Sequence, residues 1–163
     1  MILDSGKRRD FGTGSVRDCA DGKGRCDLLP LGEMAEHMDV MVLTYIELYI
    51  RGGDTEELWN AVQTFWAHYM DGNMMTMFLE VAIQYEEGAK KYAERNWEKG
   101  QPLHVYIDSA VRHYLKHLRG DTDEPHDRAF VWNILCAIWT HRNKPELIDL
   151  PFAEKKEGAE TCL

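Results

Sequence analysis

The sequence predicts an all-α protein, a bundle of about five helices behind an irregular, glycine-rich N-terminal arm. Three observations support this. Apolar residues recur at three- and four-residue spacing from Glu33 to His141, which is the periodicity of amphipathic helices. Gly52-Gly53, Asp71-Gly72-Asn73 and Gly120 interrupt it where helices should end. A chain of 163 residues with 44% hydrophobic and 29% charged residues is large enough for one domain with its own core. The expected organisation is an arm over residues 1–32, a helical domain over 33–143 and an extended tail over 144–163.

The arm alternates Gly12, Gly14, Gly22 and Gly24 with Arg17, Lys23 and Arg25, so backbone amides and cations could approach a phosphate. It is not a Walker A loop. That pattern needs glycine where Arg17 stands and Ser or Thr where Gly24 stands. The alternative is a solvated arm docked through Leu28, Leu29 and Leu31. Beyond it, Met34, Met38, Met41, Val42, Tyr45, Leu48 and Tyr49 predict one helix over Glu33 to Arg51. Asp54 and Glu57 resemble a capping box for a second helix to Met70, with Leu58, Ala61, Val62, Phe65, Trp66 and Tyr69 inward. Both belong to the scaffold.

The chemistry concentrates between Tyr85 and Asn133. The helix from Met74 to Arg95 places Met74, Phe78, Val81, Tyr85, Gly88, Ala89 and Tyr92 on one stripe, with Glu86 at its flank and Glu80, Glu87 and Glu94 opposite. Glu86 is therefore the carboxylate expected to reach inward. Lys90 and Lys91 follow Glu86 and Glu87 by four residues, the spacing of surface ion pairs. Trp97 in the next loop reads as a packing plug or a base-stacking ring. The helix from Leu103 to Arg119 carries Ser109, His113 and Lys116 on one flank and an outward Asp108–Arg112 pair. The last helix, capped by Asp121 or Thr122 and running to His141, would aim Asp123, Glu124 and Asp127 at the core from its first turns. It is apolar nearly all round, so it is either central or faces a second subunit through Trp132, Cys136 and Trp139.

A formal charge of −9 argues against a nucleic-acid backbone as partner and leaves room for a small anion neutralised locally. Cys19, Cys26, Cys136 and Cys162 show neither zinc spacing nor a disulfide framework. No signal or spanning segment is evident, so a cytoplasmic protein without a membrane partner is expected. Inward carboxylates on neighbouring helices are costly unless they bind a cation. Oxygen-rich sites suit Mg²⁺, with Mn²⁺ as its substitute. The residues thus point to a magnesium-dependent, phosphate-handling helical site.

The segments GTGSVRD, GKGRCDLLPL, YEEGAKKYAERNWEKG, SAVRH and GDTDEPH…WN together resemble a phage and bacterial family named for a dATP/dGTP diphosphohydrolase N-terminal domain, across about residues 10–142. That family is similar in turn to the MazG-like all-α pyrophosphohydrolases, which cleave a nucleoside triphosphate to the monophosphate and pyrophosphate. Glu86-Glu87 match the MazG-like glutamate pair and Glu124-x-x-Asp127 the second motif, whereas Lys90 stands where a third glutamate is expected. The resemblance implies a purine deoxynucleoside triphosphate as substrate and Mg²⁺ held by Glu86, Asp123, Glu124 and Asp127. Glu87 and His126 become candidate catalytic groups, and Arg17, Lys23, Arg25, Lys90, Asn96 and His113 candidate substrate contacts. It also implies a homo-dimer or homo-tetramer. The adjacent His126-Asp127 suggests an HD-type phosphohydrolase as the rival enzyme. A non-catalytic helical interaction module is the rival outside enzymes.

Overall fold

The computed structural model describes residues 6–20, 22–38, 41–70 and 72–152. Asp71, Cys162 and the tail beyond residue 152 lie outside the described residues. The order is β1 (Arg8–Asp10), β2 (Val16–Asp18), α1 (Leu31–Met38), α2 (Met41–Gly52), α3 (Thr55–Tyr69), α4 (Met74–Lys91), α5 (Leu103–Arg119) and α6 (His126–Asn143). The class is all-α. The arm is more regular than expected, because β1 and β2 pair antiparallel with Arg9 opposite Arg17.

The helix expected over Glu33 to Arg51 is two helices. In a straight helix positions 32 and 47 would lie about 22 Å apart, yet a Cβ built on Gly32 would stand 3.5 Å from Glu47 Cγ. α1 therefore folds back onto α2. α3 begins as predicted, with the Asp54 carboxylate accepting from the Glu56 amide at 2.9 Å, and buries Leu58, Ala61, Val62, Phe65 and Trp66. Tyr69 stays at the rim, 40% exposed.

α6 is the central helix. α5, α4 and α3 pack on it, and Phe130 meets Phe65 with ring centroids 4.7 Å apart. The face expected to meet a second subunit is partly covered within the chain. Cys136 is fully buried, Trp132 packs on Tyr85 and Tyr106, and Trp139 meets Trp97 at 5.2 Å. Trp97 thus packs edge-on against α6. The tail is also more ordered than expected, at least to residue 152. Leu150 and Phe152 are buried in the core, and Asp149 accepts from the His104 amide at 3.0 Å, tying the tail to the start of α5.

α4 turns differently from its predicted stripe. Met77, Val81 and Gln84 are buried, whereas Phe78 is 41% exposed. The apolar count did not foresee that Arg128 of α6 would draw the acidic flank inward, reaching Glu87 at 3.2 Å and Glu80 at 3.9 Å. Lys91 follows the same rotation. Instead of an exposed partnership with Glu87 it is nearly buried and meets Asp18 of β2 at 2.8 Å.

The loop between α4 and α5 carries the arm. Thr13 donates to the Gly100 carbonyl at 2.7 Å, and Asn96 accepts from the Val16 amide and donates to the Val16 carbonyl, as a neighbouring strand would. Gly100 has φ 78°, and an added Cβ would lie 2.5 Å from Leu147 Cδ1. Gly100→Ala is expected to cost about 1–3 kcal/mol through left-handed strain and overpacking. At roughly 2–4 °C per kcal/mol for a chain of this size, thermal melting resolves the change. Gly52→Ala, in open space, is the control and should match or slightly exceed the wild type.

Candidate active site

The site is built by the connection between α5 and α6. Gly120, at φ 82°, ends α5. Its amide reaches the His117 carbonyl at 3.0 Å and the Asp121 amide reaches Lys116 at 3.0 Å, satisfying the helix's last carbonyls. Proline disfavours helical backbone at the residue before it, so Pro125 keeps Glu124 out of the helix and α6 starts only at His126. Asp121, Asp123 and Glu124 consequently sit on a loop between two helices. The expectation that Asp121 or Thr122 caps the helix and that Asp123 and Glu124 belong to its first turn is corrected accordingly.

His126, 2% exposed, points back at α5. Its Nδ1 lies 3.0 Å from His113 Nδ1 and its Nε2 lies 2.8 Å from Asp123 Oδ1. The other Asp123 oxygen accepts from Lys116 at 2.8 Å. Glu124 Oε1 stands 3.7 Å from His113 Nδ1 and 3.8 Å from His126 Nδ1. A carboxylate oxygen only accepts, so Nε2 of His126 carries the proton, and in the neutral ring Nδ1 presents its lone pair. Hydrogen bonds from Lys116 and then His126 hold the Asp123 carboxyl below the usual carboxylate range. Burial, followed by His126, Arg17, Arg112 and Lys116, pushes His113 down to about 3. The nearby Glu124 favours a proton on that ring, but desolvation and the surrounding positive charge outweigh it.

Arg17 closes the site from the arm. One guanidinium nitrogen donates to Asn133 Oδ1 at 2.8 Å and another reaches Gln101 Oε1 at 3.5 Å, with the rings of Trp132 and Tyr106 about 5.5 and 5.6 Å away. Two hollows meet at this side chain. One, of about 410 Å³, is walled by Tyr85, Tyr92, Trp97 and Trp132 and by the amides of Gln84, Asn96, Gln101 and Asn133. The other, of about 810 Å³, is lined by seven Arg and Lys residues against three carboxylates. Arg17, Tyr92, His113 and Glu124 line both.

The predicted site residues divide between these places. Glu124 and His113 stand where the hollows join, and Arg17 with them. Lys23 and Arg25 line the basic cleft, where Arg25 pairs with Asp27 and is raised by it. His126 lies behind His113. Asp123 and Asp127 border a shallow concavity on the far side of His126. Among the described residues, the groups whose ligand atoms lie within 4.8 Å of one another are His113–Glu124–His126 and Asp121–Asp123–His126. Glu86 and Asp127 belong to neither, so the four expected metal ligands do not converge. Glu86 lines the aromatic hollow but is exposed and not the buried inward carboxylate expected. It lies nine residues beyond buried Met77, about half a turn round the helix, with 62% of its side chain exposed and Lys90 paired to it. Lys90 is 71% exposed and lines neither hollow. Both ends of the Asn96 amide are taken by Val16, so its role is to dock the arm.

Arg112 was expected to face solvent with Asp108. The 3-10 turn Cys26–Leu28 covers that pair instead. The Cys26 amide donates to Asp108 at 2.5 Å, and Arg112 donates to the carbonyls of Lys23 and Gly24 at 3.2 and 2.8 Å. Arg112, Gln84, Gln101 and Asn133 were not foreseen as site residues. A weak signal existed in Gln84 and Asn133, which are amides on otherwise apolar faces.

Fold and site together define an all-α protein with an aromatic, amide-walled hollow opening into a basic cleft. The chain belongs to the family described as dATP/dGTP diphosphohydrolase, N-terminal, whose model matches residues 67–150. That span holds α4, α5 and α6, the connecting loops and every residue of the His113–Glu124–His126 group. The family is named for a diphosphohydrolase acting on dATP and dGTP. No curated protein and no solved structure matches the chain. No helix among the described residues is long and apolar enough to cross a membrane.

The depressed His113 has a defined consequence for stability. Its folded pKa of about 3 lies below the ordinary 6.5, so its contribution is complete above pH 6.5 and is lost as pH falls toward 3. His113→Gln should therefore flatten the fall in melting temperature between pH 7 and pH 4, measured with EDTA present. Parallel curves for variant and wild type would show that the ring is not held neutral.

Proposed function

We propose that the protein hydrolyses a purine deoxynucleoside triphosphate, dATP or dGTP, to the monophosphate and pyrophosphate. The observation that carries this reading is the junction of two unlike hollows at Arg17, Tyr92, His113 and Glu124. The aromatic hollow suits a purine base, which stacks on Tyr85, Trp97 or Trp132. Gln84, whose Oε1 has no protein partner, supplies an unused acceptor. The basic cleft suits the triphosphate. Arg17, Arg112 and Lys116 offset its charge, and Lys23 and Arg25 close over it from the arm. The scissile phosphorus then lies near Glu124, which takes a proton from the attacking water, while the cleft cations stabilise the departing pyrophosphate. The family named for this activity and the MazG-like resemblance support the same reaction.

The oxygen-only magnesium cage does not fit, because Glu86, Asp123, Glu124 and Asp127 do not meet. Mg²⁺ belongs in this reading to the substrate, as the counter-ion of the triphosphate. The HD-type reading needs His126 and Asp127 on one metal ion, and Asp127 is not among the residues whose ligand atoms converge with His126. A second copy of the chain would pack on α4, where Met75, Phe78, Leu79 and Ile83 remain exposed. Light scattering measures whether it does.

Ion-exchange separation of products from dATP and dGTP with Mg²⁺ tests the reaction. Monophosphate and pyrophosphate are expected, and Glu124→Gln should lower kcat by about 10²–10⁴. Tripolyphosphate would establish the HD alternative. Absence of turnover together with no nucleotide-dependent rise in melting temperature would leave an interaction module. The Lys23→Ala/Arg25→Ala double variant should raise KM. Lys23→Ala alone should do so without changing thermal stability, since its side chain is exposed, whereas Arg25 pairs with the nearly buried Asp27.

A further inference from the structure

We propose that His113, Glu124 and His126 form a binding site for a divalent transition-metal ion, with two nitrogens and one oxygen suited to Zn²⁺, Mn²⁺ or Co²⁺ over Mg²⁺. The inference needs no nucleotide and does not rest on the proposed hydrolysis.

The first argument is convergence. The three donor atoms stand 3.0, 3.7 and 3.8 Å apart. Around a tetrahedral ion with bonds of about 2.0–2.2 Å, ligand atoms lie about 3.3–3.6 Å apart. The side chains need move only by tenths of an ångström. The second argument is the outer partner. Metal-ligating histidines donate their other N–H to a carboxylate that fixes the ring and its tautomer. Asp123 holds His126 Nε2 in that way and is itself anchored by Lys116. His126 Nδ1 is thereby turned toward Glu124 and His113.

The third argument is access. His113 and Glu124 line both hollows, so a fourth coordination position would open onto them, as in metal sites that keep a place for water or ligand. The donor set also accounts for the failed magnesium cage, because imidazole nitrogens suit later, softer ions and Mg²⁺ demands oxygens. A hydrogen bond between the two imidazoles would explain their 3.0 Å approach. It would not explain why a carboxylate with 14% side-chain exposure is brought to both ring nitrogens at once.

The full chain, stripped with EDTA and dialysed, is titrated calorimetrically with Zn²⁺, Mn²⁺, Co²⁺ and Mg²⁺ in the absence of nucleotide. The Co²⁺ complex is examined for visible d–d absorption. Binding of about one transition-metal ion per chain is expected, at least about tenfold tighter than Mg²⁺. His113→Gln and Glu124→Gln should abolish it. Asp123→Asn should weaken it by about 10–100-fold. Asp123 lies at the surface, so this variant decides the matter if circular dichroism shows the others misfolded. Three results would overturn the proposal: no ion bound by the wild type, Mg²⁺ bound as tightly as the rest, or undiminished binding by the variants. Loss or retention of nucleotide hydrolysis changes none of these outcomes.

Discussion

The docking of the half-buried Arg17 guanidinium is the constraint on which the rest of the site depends. A charge drawn from water must be compensated in place, and Arg17 meets that demand with groups from three parts of the chain. Gln101 comes from the loop before α5, Asn133 from α6, and the ring faces of Tyr106 and Trp132 from the two central helices. A guanidinium needs several acceptors in a fixed fork, so the arm docks in one register. The Asn96 bracket on Val16 and the Thr13 bond to Gly100 repeat that register in the residues just before it. With the arm fixed, Lys23 and Arg25 follow to the mouth of the cleft, and Arg112 holds their backbone there. A segment rich in glycine and charge thus becomes a wall of the site.

The second constraint is backbone chemistry in six residues. Gly120 ends α5 and Pro125 delays α6, and the acids between them are presented by a loop that crosses from one helix to the other. Had the helix begun at Asp123, its acids would have pointed in directions set by 100° steps. On the loop, Asp123 instead reaches behind His126 while Glu124 reaches in front of it. One histidine is then gripped from both sides, and this separates the outer carboxylate from the one that meets the hollows.

The fold was largely legible because periodicity reports helices directly, and the caps at Asp54 and Gly120 were readable from residue type. The site was legible only in part. His113 and Glu124 stood out because ionisable residues flanked apolar stripes. Glu86 misled because a helical wheel assigns inward and outward faces from apolar residues alone. The true orientation of α4 was settled by Arg128 and Asp18, each on another element, drawing in Glu87 and Lys91. The burial of Asp108 and Arg112 was hidden for the same reason, since the turn that covers them lies more than 80 residues away in sequence. Long-range ion pairing and arm docking leave no local periodic signature.

The charge distribution follows from the same docking. The chain carries −9 overall, yet one cleft gathers seven of its 19 Lys and Arg residues. At physiological ionic strength the screening length is about 8 Å, so a ligand within the cleft responds mainly to the cations lining it. Acids elsewhere on the surface are screened from it. A small anion gains the local attraction. A long polyanion would extend beyond the screening length onto an acidic exterior and lose there what it gained in the cleft. In the proposed reading, selection for a short phosphate chain needs no dedicated steric gate, because the basic cleft is bounded by an acidic body.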